Sequence, residues 1–333
     1  MPVALSLARR NLGQTWPNPS VGAVVVKNGR IIAEGWTAKG GRPHAETEAL
    51  AQAGMATRGA TLYVTLEPCA HHGKTPPCAE AIINAGIARC VVACRDPNPE
   101  ATGGIARLQQ AGIEVVEGIC REEAKEINRG FFSVIEKKRP FIALKIATSL
   151  DGKISRAEAR LREGGWITGE FARAYGHLLR SRFDAIATGI GTVLADDPLL
   201  TCRLPGLEDR SPVRVVFDRQ RRLPEDSRLA MTAKDVPLWE TALPVEEAVT
   251  WLAEKGITRL LVEAGQKLSS AFLHSGLVDR IYWFRSPMVI GEGGLPAFGE
   301  GVSLVRRRRR EIRSLGEDTL ETYERSDPAL NAG

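Results

Sequence analysis

The feature that most constrains this fold is an alternation of strand-like and helix-like segments, which runs through the 333 residues in two series. Such alternation favours a sheet covered by helices on both faces, so we predict an α/β fold. Between the two series stands Lys137-Lys138-Arg139-Pro140, where three charges and a helix-breaking proline leave little to pack. A chain of this length commonly holds two domains, and we expect them at residues 1–137 and 140–333.

The first series contains a strong hairpin signal. Asn28-Gly29 joins the apolar runs Val21–Lys27 and Arg30–Trp36, and both of its residues tolerate the positive φ that tight hairpin turns require. This hairpin makes the predicted sheet mixed. The other elements predicted in this series are helices at 3–12, 44–55, 77–86 and 121–136, strands at 61–66 and 89–94, and a helix–strand pair within 103–117.

The second series predicts a second α/β domain. Its expected strands are 141–147, 184–189, 213–217, 258–263, 280–285 and a C-terminal pair. One expected helix follows Thr168, and two others cover 245–255 and 267–275. No element is predicted between residues 220 and 245. The run from Arg306 to Arg310 is interpreted as a solvated strand edge, because charged residues commonly protect sheet edges, with an anion-binding surface as the alternative.

Composition excludes several functional classes. A net charge of +5 suits phosphorylated small ligands but does not indicate a nucleic-acid partner. No apolar run approaches the ~18 residues of a membrane span. Arg9 and Arg10 follow the first apolar residues, whereas the basic residues of a secretory signal precede its apolar segment. Six cysteines are too few for a disulfide scaffold, so we expect a cytoplasmic protein whose cysteines are thiols or metal ligands. A homo-oligomer is also expected.

A metal-ligand pattern lies in the first half. His44-Ala45-Glu46 opens a predicted helix, and Cys69 and Cys78 follow a predicted strand. One imidazole and two thiolates leave a tetrahedral zinc ion with one open position, which is typical of a catalytic site. Zinc lowers the pKa of bound water to about 7, and Glu46 is the residue expected to carry the proton to the departing ammonia. Singly, these residues are ordinary helix-capping or buried groups, but together they form the zinc deaminase signature.

The spacing of the two cysteines carries further information. Eight residues separate Cys69 from Cys78, whereas most nucleoside and nucleic-acid deaminases have Cys-x-x-Cys. With Pro17-Asn18-Pro19 and Asp96-Pro97-Asn98-Pro99, this loop resembles the deaminase half of the bifunctional riboflavin-biosynthesis deaminase/reductase, over residues 1 to about 136. The resemblance implies a cytidine-deaminase-like, three-layer αβα domain. The substrate contacts that it implies around the metal are Asn18, His71, Lys74, Asp96 and Asn98. Thr37 and Ala70 depart from the family, which usually has His and Ser at these positions.

Glycine-containing turns punctuate the second half, at Lys145–Gly152, Thr188–Val193 and Val262–Gly265. A glycine between a strand and a helix leaves backbone N–H groups free, which is a common way of holding a phosphate. None of these turns matches the Gly-x-Gly-x-x-Gly fingerprint of dinucleotide-binding folds. On pattern alone, ligand binding and simple turns stay equally open.

Residues 141 to about 325 resemble the reductase domain of the same family, with matching motifs at Lys145–Gly152, Trp166–Thr168, Thr192–Pro198, Glu263–Gly265 and Gly276–Asp279. The resemblance implies a dihydrofolate-reductase-like α/β fold that uses NADPH. The residues implied beside the cofactor are Ala147, Trp166, Thr192, Asp196, Gly265, Gln266, Lys267, Leu268, Ser269, Ser270 and Ala271. Those implied beside the substrate are Lys145, Gly164, Arg180, Leu200, Arg203 and Glu263. Gly164 and Arg219 stand where serines are usual in the family.

The resemblance also implies the reactions. They are zinc-dependent deamination of 2,5-diamino-6-ribosylamino-4(3H)-pyrimidinone 5′-phosphate, followed by NADPH-dependent reduction of the ribosyl group to ribityl. Two alternatives stay open at this stage. One is a nucleic-acid base deaminase with an accessory domain, which the wide cysteine spacing disfavours. The other is a reductase whose first domain only binds zinc, which Thr37 and Ala70 make conceivable.

Overall fold

The computed structural model describes residues 1–71, 76–156, 165–299 and 306–325. The chain divides into two compact units, Met1–Arg139 and Pro140–Gly333. Lys74 and Gly164, two of the predicted site residues, lie outside the described residues. Among the residues described, every helix is too short or too polar to cross a lipid bilayer.

The first unit is built on a mixed five-stranded sheet. Its strands are β1 (Gly22–Lys27), β2 (Arg30–Trp36), β3 (Thr61–Val64), β4 (Arg89–Val92) and β5 (Glu114–Glu117), in the spatial order β2-β1-β3-β4-β5. Its helices are α1 (Pro2–Ala8), α2 (Ala45–Ala53), α3 (Cys78–Asn84), α4 (Gly104–Gln110), α5 (Arg121–Ile127) and α6 (Arg129–Lys137). Strand β1 pairs antiparallel with β2 and β3, and β3, β4 and β5 are parallel, so the predicted mixed sheet is confirmed.

Both faces of this sheet are covered by apolar side chains. Val24 packs against Ala4 and Leu7 of α1, whereas its neighbours Ala23 and Val25 belong to the main core. Successive residues of a strand point to opposite faces, so β1 separates two apolar layers. Between β1 and β2 the residues of the predicted hairpin turn, Asn28 and Gly29, adopt φ of 50° and 71°, as that turn requires.

A glycine brings helix α2 close to the sheet. A Cβ atom at Gly35 of β2 would lie 2.2 Å from the carbonyl oxygen of Ala45, the first residue of α2. Any larger residue would push the helix away. This close approach fixes the start of α2, where the predicted metal ligand His44 stands.

The prediction of one long helix over 121–136 is wrong. The chain forms α5 and α6 with a break at Asn128, whose φ and ψ are −96° and 19°. The Asn128 side chain instead accepts a hydrogen bond from the Ser20 amide at 2.8 Å and donates to the Ser20 carbonyl at 3.0 Å. Asparagine competes well with helical hydrogen bonding when such partners exist, and here the partner lies 108 residues away in the sequence.

The second unit is built on an eight-stranded sheet. Its strands are β6 (Phe141–Thr148), β8 (Ala185–Gly189), β9 (Val213–Phe217), β10 (Leu238–Thr241), β11 (Arg259–Val262), β12 (Arg280–Arg285), β14 (Arg307–Leu315) and β15 (Asp318–Arg325), in the order β10-β9-β8-β11-β6-β12-β15-β14. A separate pair consists of β7 (Lys153–Arg156) and β13 (Gly294–Pro296). The helices are α7 (Glu170–Arg180), α8 (Ile190–Asp196), α9 (Arg228–Met231), α10 (Val245–Glu254) and α11 (Gln266–His274).

The parallel part of this sheet gathers the predicted motifs at one edge. Strands β8, β11 and β6 are adjacent and parallel, so their carboxyl ends at Gly189, Val262 and Thr148 lie along the same edge. The segment between 220 and 245, for which no element was predicted, contains α9 and β10. The arginine run is confirmed as a strand at the sheet edge, because β14 ends the order and its side chains are mostly exposed.

Candidate metal centre and candidate ligand site

Three predicted metal ligands converge in the first unit. His44 immediately precedes α2, Cys78 is the first residue of α3, and Cys69 lies in the loop after β3. The His44 Nδ1 atom lies 3.2 Å from the Cys78 sulfur and 3.8 Å from the Cys69 sulfur. The three donor atoms all lie within 4.8 Å of one another. One imidazole nitrogen and two sulfurs are a donor set that fits zinc with one position left for water.

Electrostatics at the cluster favour a thiolate. The hydrogen bond from Cys78 and the nearby His44 lower the pKa of Cys69 to about 4. The same hydrogen bond and burial raise the pKa of Cys78. The hydrogen bond to Cys69 also raises the pKa of His44. Metal binding requires deprotonated cysteines and a neutral imidazole, so loading this site releases protons.

Glu46 is a buried carboxyl group beside these ligands. It occupies the first turn of α2, two residues after His44, and only 4% of its surface is exposed. Burial raises the pKa of Glu46 to about 7, although the His44 charge opposes the shift. A carboxyl group with this pKa can both accept and return a proton near neutral pH. Cys90 and Cys94 are different, because they are buried in the main core and burial raises the pKa of each to about 12.

The structure brings several predicted substrate residues towards the metal ligands. Asn18 packs against the loop just before His44, since a Cβ atom at Gly41 would lie 2.1 Å from the Asn18 Nδ2. Burial raises the pKa of Asp96 to about 6, and both Cys69 and His71 are close enough to influence it.

A short turn presents the last of these residues. The Asn98 amide donates to the Asp96 carboxylate at 2.8 Å, and the Asn98 side chain accepts from the Glu100 amide at 3.2 Å. The two predicted contacts Asp96 and Asn98 are therefore held in one turn of the loop.

The two departures from the family pattern are accommodated differently. Thr37 is buried, and its hydroxyl accepts a hydrogen bond from the Val21 amide at 2.9 Å, so it serves the backbone of the first sheet. Ala70 is also buried, and its amide donates to the Ala101 carbonyl at 3.0 Å. Neither side chain offers a free polar group to a substrate.

In the second unit, a carboxylate lies at the centre of a charged cluster. Glu263, just after β11, accepts hydrogen bonds from Nε and Nη2 of Arg180, at 2.8 Å each. Lys145 Nζ lies 3.6 Å from the same carboxylate. Burial alone would raise the pKa of Glu263, but Arg180 and Lys145 lower it to about 2. This cluster of predicted substrate residues therefore holds an ionised carboxylate.

The arginines of this cluster play different parts. The Nη1 atom of Arg180 donates to the Thr201 carbonyl at 3.0 Å, so the planar guanidinium group is engaged by protein groups. Arg203 is exposed, and its Nη1 donates to the Thr201 hydroxyl at 3.2 Å. The predicted recognition of a phosphate consequently depends on Arg203 more than on Arg180. Leu200, also predicted here, is buried, and its backbone has a φ of 54°.

His177 was not among the predicted site residues. Its Nδ1 lies 3.1 Å from the Thr201 carbonyl oxygen and 3.2 Å from the Arg203 amide nitrogen, so the ring contacts the backbone that carries the exposed arginine. Burial and the charges of Arg180 and Arg203 lower the pKa of His177 to about 4, so it is neutral at pH 7. The spacing His177-x-x-Arg180 on one helix was a usable signal, because residues three apart share a helix face.

The predicted cofactor residues fall into two groups. Thr192 and Gly265 meet at the edge of the parallel strands, where the Gly265 amide donates to the Thr192 hydroxyl at 3.1 Å. Helix α11 begins directly after Gly265, and no side chain caps it. Its first amides therefore suit a phosphate, and a Cβ atom at Gly191 would meet nothing within 4 Å. These features fit a phosphate-bearing cofactor.

The other members are placed as follows. Lys267 is exposed, and Leu268 lies close to Gly189, where a Cβ atom would be 3.6 Å from the Leu268 side chain. Three polar side chains of α11 form hydrogen bonds with protein atoms. Gln266 donates to Phe298, Ser269 donates to Ala264, and Ser270 accepts from Gly299. Ala147 lies in β6, Asp196 ends α8, and Ala271 of α11 is partly buried. Trp166 is 49% exposed, and Arg173 stacks on its ring.

These two sites define a protein that joins a zinc-dependent deaminase to a reductase. Residues 1–94 match the cytidine and deoxycytidylate deaminase zinc-binding region, and residues 140–320 match the RibD C-terminal domain. The riboflavin biosynthesis protein RibD of Aquifex aeolicus (strain VF5) is 41% identical over 98% of this chain and 97% of its own length. That of Escherichia coli (strain K12) is 40% identical over 95% of each chain.

Solved structures agree with the sequence matches. The diaminohydroxyphosphoribosylaminopyrimidine deaminase/5-amino-6-(5-phosphoribosylamino)uracil reductase of Thermotoga maritima is 38% identical with a TM-score of 0.88, over 98% of this chain and 97% of its own. Acinetobacter baumannii RibD, in its second form, is 38% identical with a TM-score of 0.87, over 98% and 97%. The chain belongs to the RibD family of bifunctional riboflavin biosynthesis proteins. The predicted fold class is confirmed in both halves.

Proposed function

We propose that this chain catalyses two steps of riboflavin biosynthesis. The first is hydrolytic deamination of 2,5-diamino-6-ribosylamino-4(3H)-pyrimidinone 5′-phosphate, and the second is NADPH-dependent reduction of the ribosyl group to ribityl. The proposal is supported by two clusters in one chain. The first unit holds the His44–Cys69–Cys78 cluster with buried Glu46, and the second unit holds the cluster around the ionised Glu263.

The protein's contribution to deamination is proton transfer and substrate placement. When bound, zinc makes water a nucleophile near neutral pH. Glu46, with its pKa raised to about 7, takes a proton from the attacking water and returns it to the departing amine, so that water is consumed and ammonia released. Asp96 and Asn98 lie in one turn beside Cys69 and are the proposed polar contacts to the pyrimidine.

The protein's contribution to reduction is a charged setting for the sugar. Reduction of an open-chain imine adds a proton to nitrogen, which gives an iminium ion, and then a hydride to C1, which NADPH supplies when bound. The Glu263 carboxylate would stabilise the positive charge of that iminium ion. His177 is neutral at pH 7, so we assign the proton donor to the Lys145 ammonium group, 3.6 Å from Glu263. Arg203 is the proposed partner of the 5′-phosphate.

We also propose a cytoplasmic homo-oligomer that acts on small phosphorylated pyrimidines, without a nucleic-acid or membrane partner. None of the six cysteines forms a disulfide in the structure, which fits a reducing compartment. Gel filtration of the purified protein with light scattering, together with fractionation of the source cells, tests the assembly and the location. A monomer, or recovery with the membrane fraction, would contradict this part.

A coupled assay tests the main proposal. The zinc-loaded protein is given the amino substrate, and ammonia release and NADPH oxidation are followed together. We expect ammonia to appear without NADPH, and NADPH to be oxidised when either the amino substrate or the pre-deaminated substrate is supplied. NADPH oxidation with only the pre-deaminated substrate, and no ammonia from the amino substrate, would leave a reductase with an inactive zinc domain.

A further inference from the structure

A second buried carboxylate lies near the metal centre and takes no part in the mechanism above. Glu67 lies two residues before Cys69 and is only 5% exposed. Burying a carboxylate is costly unless hydrogen bonds compensate for the lost water. The surroundings of Glu67 supply those bonds, and all of them come from one segment.

Four donors satisfy this carboxylate. Its Oε1 accepts from the amides of Gly103 at 2.9 Å and Ile105 at 3.2 Å. Its Oε2 accepts from the Asp96 amide at 3.2 Å and the Thr102 hydroxyl at 3.3 Å. The donors lie towards the two ends of residues 96–105. We call this segment the substrate loop because it contains Asp96 and Asn98.

The backbone adds a second connection between the same two segments. The Glu67 amide donates to the Cys94 carbonyl at 2.9 Å, just before the substrate loop. A Cβ atom at Gly104 would lie 1.7 Å from the Pro68 carbonyl oxygen, so the two chains are in direct contact. The segment that ends in Cys69 and the substrate loop therefore form one hydrogen-bonded unit.

Capping of helix α4 alone does not explain this arrangement. The residue before α4 is Gly103, which has no side chain to cap the helix, and Glu67 partly replaces that cap. However, two of the four donors, the Asp96 amide and the Thr102 hydroxyl, lie before the N-cap residue Gly103. A cap needs neither of them. These two hydrogen bonds act on the position of the loop instead.

We propose that Glu67 is a positioning residue for the deamination: its carboxylate fixes the substrate loop, with Asp96 and Asn98, relative to the metal ligand Cys69. The proposal rests on the substrate contacts assigned under the proposed function. Glu67 acts through the loop and does not touch the reacting atoms. Its loss should weaken substrate binding more than turnover, because Glu46 is held independently by α2.

The test uses the zinc-loaded full chain with Glu67→Gln. The amide of glutamine turns an N–H group towards backbone donors, so at least one buried hydrogen bond to a charged acceptor is lost. We expect KM for the amino substrate to rise about tenfold or more, with kcat changed less than about threefold. Zinc content and reduction of the pre-deaminated substrate should stay unchanged. Thr102→Ala, which removes one of the four bonds, should raise KM in the same direction by a smaller factor and covers the case that Glu67→Gln does not fold.

A control variant and a double variant separate positioning from general stability. Thr57→Val removes the buried hydroxyl whose one proton is shared between the Gly54 and Ala85 carbonyls, at 2.9 and 2.7 Å, in the same unit, and should leave KM unchanged. Glu67→Gln combined with Asn98→Ala should lose less binding than the sum of the two single losses, because part of the effect of Glu67 passes through Asn98. Additive losses would contradict the proposal.

Amide hydrogen exchange provides a readout that does not depend on activity. In Glu67→Gln, residues 96–105 should exchange faster while α2 stays protected. Unchanged exchange in the loop, an unchanged KM with zinc retained, or a joint fall of kcat and zinc content would each overturn the role of Glu67. A wild-type protein that releases no ammonia would instead overturn the proposed deaminase function, and loop exchange would then decide on Glu67 alone.

Discussion

Arg180 donates to both carboxylate oxygens of Glu263, each at 2.8 Å. Arg180 is the last residue of α7, and Glu263 is the first residue after β11. Planar guanidinium and carboxylate groups match in this geometry, and both side chains are largely buried. The pair holds Glu263 ionised where the sugar is proposed to bind. It therefore links the stability of the second unit to the chemistry of the reduction.

Glu263→Gln should lower both stability and reduction. Breaking one partner of a buried ion pair commonly costs about 3 kcal/mol or more, because the other charge is left uncompensated. Thermal unfolding followed by circular dichroism measures this loss. As a matched control, Glu311→Gln removes the exposed pair with Arg313 in the same unit and should shift the midpoint little. An equal shift in both variants would contradict a special role for the buried pair.

The same pair predicts a pH dependence. The pKa of Glu263 is about 2 in the folded chain and near 4.5 in the unfolded chain, so its contribution is fully present above pH 4.5. It is lost as the pH falls from about 4.5 towards 2, when the unfolded state takes up the proton first. Urea unfolding at several pH values should show a steeper acid loss in the wild type than in Glu263→Gln. Parallel curves would exclude this group as the source.

Arg203→Lys tests the proposed phosphate contact. Lysine keeps the charge but cannot form paired hydrogen bonds to a phosphate. We expect KM for the phosphorylated reductase substrate to rise about tenfold, with KM for NADPH nearly unchanged. A dephosphorylated substrate should be affected far less, because the contact is already missing. Equal losses on both substrates would remove Arg203 from the phosphate site.

Metal content tests the ligand assignment. Purified wild-type protein should contain one zinc per chain, and Cys78→Ala should lose most of it. Cys90→Ala is the matched control, because Cys90 is also a buried cysteine but lies in the main core. We expect it to retain the metal. Zinc retained by Cys78→Ala, measured by elemental analysis, would show that the assignment is wrong.

The predicted domains 1–137 and 140–333 can be tested as separate fragments. Each unit has its own sheet and its own core, so each should fold alone and retain its own activity, unless an oligomer interface is needed. Soluble expression and circular dichroism check this expectation. Insoluble fragments from a soluble full chain would place the boundary elsewhere.

The sequence was most informative where local chemistry decides the structure. Asn28-Gly29 predicted its hairpin because few other residues accept positive φ at both turn positions. The spacing of His44, Cys69 and Cys78 predicted a convergent donor set, which the structure brings together. In both cases the requirement is met by the residues themselves.

Long-range partners account for what the sequence did not reveal. The break at Asn128 depends on Ser20, and the four bonds to Glu67 come from residues about 30 to 40 positions later in the chain. Arg180 was expected near a phosphate, yet its fork is engaged by Glu263, which lies 83 residues further along the chain. No local pattern reports such pairs, because they form only after the strands align.

Two separate sites in one chain are proposed to carry two reactions, and a single variant can separate them. Ammonia release from the amino substrate and NADPH oxidation with the pre-deaminated substrate are measured on the same zinc-loaded preparations of wild type and Glu46→Gln. We expect the variant to keep its zinc, lose deamination by about 10²-fold or more, and reduce the pre-deaminated substrate at the wild-type rate. A parallel loss of both activities in a folded variant, or deamination that survives without Glu46, would contradict the account.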